Sequence, residues 1–89
     1  MSKQINQVEI ENVIREVLRE EVLEVSFESD VWIQMNYMKS DVARIHLSEI
    51  KRRLGDLGYK VGLCTFESYG EPGMYASNSV NSITFVINI

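Results

Sequence analysis

The residue types able to do chemistry are few in this chain, and the most conspicuous stand together. Lys51, Arg52 and Arg53 are consecutive in the stretch SEIKRRLGDLGYK, with Arg44 and Lys60 on either side. Clustered cations of this kind bind phosphates, because each phosphate neutralised releases condensed counterions and adds affinity. A nucleic-acid contact formed by Arg44, Lys51, Arg52, Arg53 and Lys60 is therefore one functional expectation. Against it, the chain is acidic overall, with a net charge of −4. On a helical wheel centred on Ile50, Leu54 and Leu57, moreover, the three adjacent cations fan out: Arg52 lies opposite the apolar stripe, with Lys51 and Arg53 on its flanks.

Catalytic and metal chemistry find little to build on. His46 is the only histidine and Cys64 the only cysteine. Neither has a neighbour at the spacing of a zinc site or a nucleophile–base pair, so no metal and no cofactor are expected. Gly55, Gly58 and Gly62 punctuate a helix end and do not spell a phosphate-cradling GxxxxGK or GxGxxG loop. A single cysteine fits a reducing compartment. A non-enzymatic protein is the expectation.

Residues suited to a protein partner are more numerous. Tyr69, Met74 and Tyr75 surround a Pro72-Gly73 pair that fits a type II turn, and Trp32 faces away from the apolar side of its segment. Val42 and Ile45 fall off the apolar stripe of their helix. Tyr, Trp and Met are enriched where interfaces bury their centres.

The chain must position these residues with 89 residues, 45% of them hydrophobic, with one proline and five glycines. That composition suits one packed domain over 1–89 and not a disordered chain. It is also near the small end for stability by burial alone, so self-association would help it. No apolar run is long enough for a leader or a membrane span, and a cytoplasmic location is expected. Charge is divided along the chain: residues 1–30 carry three basic against eight acidic residues, and residues 39–60 carry six against three. Such a division lets neighbouring elements, or neighbouring subunits, attract each other.

The first helix is written clearly. Asn6 is a good N-cap with Glu9 at N3, an Asn-x-x-Glu form of the capping box, and Ile5 and Ile10 have the spacing of a hydrophobic staple. Ile10, Val13, Ile14, Val17 and Leu18 form the apolar stripe of a helix over about 7–21. Next, Leu23, Val25 and Phe27, then Val31, Ile33 and Met35, alternate with polar residues around ESD. An antiparallel hairpin would pair Phe27 with Val31, Val25 with Ile33 and Leu23 with Met35 on one face.

Residues 41–57 admit two readings. In the favoured one, a single helix lines up Ala43, Leu47, Ile50, Leu54 and Leu57, is capped by Ser40 or Asp41 and ends at Gly58. In the other, 42–47 is a third strand turning at KSD and the helix begins at Ser48. Beyond it, Tyr59, Val61 and Leu63 alternate in a strand with Cys64 and Phe66 on its other side. The last strand sets Ile83, Phe85, Ile87 and Ile89 against Ser82, Thr84 and Asn88. It is expected either inside the sheet or paired with its copy in another subunit.

The fold class expected is α+β: two αββ units forming a mostly antiparallel four-stranded sheet with both helices on one face. The alternative is an α-β-β-β-α core with a C-terminal hairpin. In size, acidic first helix and αββ pattern the chain resembles small accessory proteins of phages and mobile elements, including inhibitors that bind host or defence enzymes; this implies a protein partner and carries over no residue. With 42–47 as a strand, the order is also similar to the double-stranded RNA-binding domain, but the lysine-rich start of that family's second helix is missing, since the stretch here reads SEIKRR. The resulting expectation is a small protein-binding module that self-associates, with a nucleic-acid-associated regulator as the alternative.

Overall fold

The computed structural model describes residues 4–68 and 79–88. Their order is α1 (Gln7–Leu18), β1 (Val22–Phe27), β2 (Val31–Lys39), α2 (Ser40–Asp56), β3 (Lys60–Glu67) and β4 (Ser79–Asn88). The four strands form one antiparallel sheet in the order β1-β2-β4-β3. The two αββ units thus meet through their second strands, and β4 is an inner strand. Of the two expectations for it, the place inside the sheet is the one found.

Helix α1 starts as its sequence dictates, with the Asn6 side chain accepting from the Glu9 N–H at 3.1 Å. The helix stops earlier than periodicity suggests. Arg19 turns to φ 55° and a single 3₁₀ turn, Arg19–Glu21, leads into β1. Glycine is the residue that ordinarily takes such a φ, so its absence here hides the stop from sequence reading.

The β1–β2 hairpin pairs Phe27 with Val31 and Val25 with Ile33 as the alternation requires. Met35, however, faces Val22, because a bulge between Val22 and Glu24 turns Leu23 outward. Leu23 is 57% exposed. A bulge adds one residue to one strand and so swaps the faces of everything beyond it.

Residues 42–47 are helical, which rules out the three-strand alternative and with it the likeness to the RNA-binding domain. The partners that a third strand needs are already taken, since Met35 faces Val22 and the other side of β2 pairs with β4. Ser40 and Asp41 lie inside the first turn and Lys39 holds the cap position without a side-chain acceptor. Lys39 is kept extended by its pairing with Ser79, so β2 passes directly into the helix. At the other end Gly58 takes φ 99°, with Tyr59 N–H donating to Leu54 O at 2.9 Å and Gly58 N–H to Gly55 O at 3.0 Å. These are the two bonds of a Schellman cap.

Both helices cover the same side of the sheet and share one core with it. Ile10, Ile14, Ile33, Ile50, Leu54, Ile83 and Phe85 are completely buried there. Among the contacts between the helical units, Tyr59 with Glu9 and Arg53 with Glu16 show that α1 and α2 run antiparallel. At 1.5 Å per residue, α2 spans about 26 Å against about 18 Å for α1, so the N-terminal turns of α2 project past the end of α1.

Candidate functional site

The opposite side of the sheet has no helix on it among the described residues. Register fixes which side chains stand there. Ser26, Trp32, Thr84 and Thr65 form one row across β1, β2, β4 and β3, and Glu24, Gln34, Ser82 and Glu67 form the next. Trp32 is half-buried at the centre of the first row. With Ser26, Thr84 and the turn residues Glu28, Ser29 and Asp30 it lines a shallow hollow. The same turn borders a second hollow at the end of the core, beside Ile5, Phe27, Val31 and Ile87.

Chemically this face offers the Trp32 ring, a band of hydroxyls, and the carboxylates of Glu24 and Glu67 in the second row and of Glu28 and Asp30 at the rim. Such groups can engage another molecule by stacking, hydrogen bonds and attraction to a cation. In the neighbouring row the Ser82 side chain is completely buried and its Oγ meets no hydrogen-bond partner.

Among the described residues, the sequence-derived partner residues stand on two different layers. Trp32 is on the open face as expected. Val42 and Ile45, 40% and 68% exposed, belong to the opposite, helical layer, on the turns of α2 that project past α1. Tyr69, Met74 and Tyr75 lie outside the described residues.

The basic cluster is organised by internal ion pairs. Arg52 reaches Glu49 at 2.7 Å and Asp56 at 3.1 Å, while Arg53 reaches Glu49 at 2.9 Å and, across to α1, Glu16 at 3.1 Å. Hydrogen bonds from Arg52 first and Arg53 second hold the Glu49 carboxyl well below its ordinary range, at about 2. The same pairing raises the Arg52 pKa. Arg44 packs its guanidinium over the Phe66 ring, 5.9 Å from the centroid. Lys51 is exposed on α2, and Lys60 begins β3. The spacings Glu49 to Arg52, Glu49 to Arg53 and Arg52 to Asp56 are i, i+3 and i, i+4, so this neutralisation is a signal present in the sequence that a count of cations passes over.

Among the described residues no group of histidine, cysteine and acidic side chains could hold a metal ion, and no helix is long and apolar enough to cross a membrane. No protein family, curated protein or solved structure matches the chain.

Proposed function

We propose that this protein is a non-enzymatic cytoplasmic interaction module that docks another protein on the open face of its sheet, around Trp32. The observation that carries this reading is a half-buried tryptophan at the centre of a sheet face that no helix covers among the described residues, ringed by hydroxyls and with Glu28 and Asp30 at its edge. Tryptophan in such a setting makes an interface anchor, since it supplies a large apolar area at little cost in conformational freedom. The acidic rim favours a partner that presents a cation or a row of donors. A small acidic adaptor or inhibitor that covers part of a larger protein is the role this suits.

The nucleic-acid reading is weaker on these grounds, because Arg52 and Arg53 already have carboxylate partners on α2 and α1. Arg44, Lys51 and Lys60 remain to carry it, and so small a set neutralises few phosphates.

Affinity purification from the native host cell separates the two. The tag belongs at the N-terminus, since β4 runs to Asn88. A protein partner is expected with the wild type and with Arg52→Glu/Arg53→Glu, and is lost with Trp32→Ala and with Thr84→Lys. Recovery of DNA or RNA that dissociates steeply with salt, and that the arginine reversals abolish, would overturn the reading.

A further inference from the structure

The outer side of β3 is the second unexplained feature. β3 is an edge strand of eight residues, Lys60–Glu67, and among the described residues no strand pairs with its outer side. An edge of that length is a template for another strand unless something blunts it. Its core-facing residues, Val61, Cys64 and Phe66, pack only partly into the core. Between them Leu63 is 85% exposed at φ 23°, in the bulge that shifts the register between Gly62 and Cys64. A branched side chain in that part of backbone space is strained, and strain of this kind persists where another contact makes use of it.

Charge supplies the identity of the occupant. Lys60 and Glu67 stand at the two ends of the strand, both exposed, both on the open-face side, and neither takes part in an ion pair among the described residues. Read in either direction, the strand has the same order: charge, apolar, small, then Cys64 at the middle once the bulged Leu63 is set aside. A strand with this symmetry is complementary to itself when antiparallel.

We infer that two copies of this chain pair antiparallel along β3, joining their sheets into one of eight strands. Lys60 of each copy then faces Glu67 of the other, Val61 faces Phe66, Gly62 faces Thr65, and Cys64 faces Cys64 on the two-fold axis. Every pair keeps like faces together, open face with open face and core face with core face, which a strand pairing requires. The two Leu63 side chains flank the axis. The other edge strand, β1, lacks this property: pairing Val22–Phe27 with itself around its own bulge sets Glu24 against Ser26 and matches no charges. The inference uses the edge of the sheet and stands whether or not Trp32 binds a partner. If it does, the dimer carries two such sites on the same side, and a partner with paired epitopes gains from both.

Charge reversal with rescue tests the inference, read as molar mass by light scattering. The wild type is expected as a dimer, about twice the 10.3 kDa of the chain, and its association weakens with added salt. Lys60→Glu and Glu67→Lys each turn two attractive pairs into repulsive ones and raise the dissociation constant by about tenfold. Mixing the two variants restores the dimer, because each copy then meets only opposite charge; the double variant Lys60→Glu/Glu67→Lys dimerises with itself for the same reason. Unchanged circular dichroism of the single variants shows that they fold. A wild type that stays monomeric at millimolar concentration, single variants that dimerise like the wild type, or a mixture that stays monomeric would each overturn the pairing.

Discussion

The hydroxyl of Tyr59 donates to Glu9 Oε1 at 2.8 Å and, at 3.1 Å, accepts from the backbone N–H of Asn6. It stands inside the capping box of α1. Asn6 and Glu9 make one arm of that box, and the reciprocal arm runs through the phenol in place of a direct bond from Glu9. Since Tyr59 is itself placed by the Schellman cap of α2, one side chain joins the end of one helix to the start of the other.

Removing that hydroxyl alone has a readable consequence. Tyr59→Phe keeps the buried ring, 2% exposed in the wild type, and deletes both bonds. A loss of about 1 kcal/mol is expected, seen as a fall of about 4–8 °C in unfolding temperature. An unchanged Tm would mean that the Tyr59 hydroxyl adds nothing to the joining of the helices.

Gly55 offers the opposite change. It lies within α2, and a Cβ built there meets nothing within 4 Å. Gly55→Ala is expected to stabilise the fold by about 0.5–1 kcal/mol, by removing backbone freedom from the unfolded chain. Denaturant titration checks it through a raised midpoint at constant slope.

Acid acts on the α2 surface through Glu49. Its folded pKa, about 2, is below the ordinary 4.5, so the folded state binds its proton less readily than the unfolded chain. The contribution of Glu49 to stability is therefore complete above about pH 4.5 and lost as the pH falls through 2. Glu49→Gln should narrow the difference in stability between pH 5 and pH 2, by a small amount that added salt reduces further, because the group is at the surface. Carbon NMR of the Glu49 carboxyl should titrate near 2; a midpoint at 4.5 would contradict the pairing with Arg52 and Arg53.

Much of this architecture is legible in the sequence wherever a local rule decides. Asn6 with Glu9, Gly58, the alternation around ESD and the stripe from Ala43 to Leu54 each specify an element by their own chemistry. What escapes is decided at long range or by single backbone residues. Leu23 and Leu63 each sit in a bulge, so simple alternation assigns Leu23 to the buried face and sets Val61 and Phe66 on opposite faces. Periodicity tells which face a residue takes and not which strand lies beside it. The row from Ser26 through Trp32 and Thr84 to Thr65 therefore becomes visible only once β4 is seated beside β2. For the same reason Trp32 could be assigned to an outward face, while Val42 and Ile45 could not be separated from it.

The central claim, that the open face around Trp32 is where a partner binds, is tested most directly by fluorine NMR. Trp32 is the only tryptophan, so incorporation of 5-fluorotryptophan places one resonance at the centre of the proposed surface. Addition of the protein recovered from the host should shift or broaden that resonance, equally in the wild type and in Arg52→Glu/Arg53→Glu, and Thr84→Lys should prevent it. A resonance that stays unmoved while the complex forms would contradict the claim.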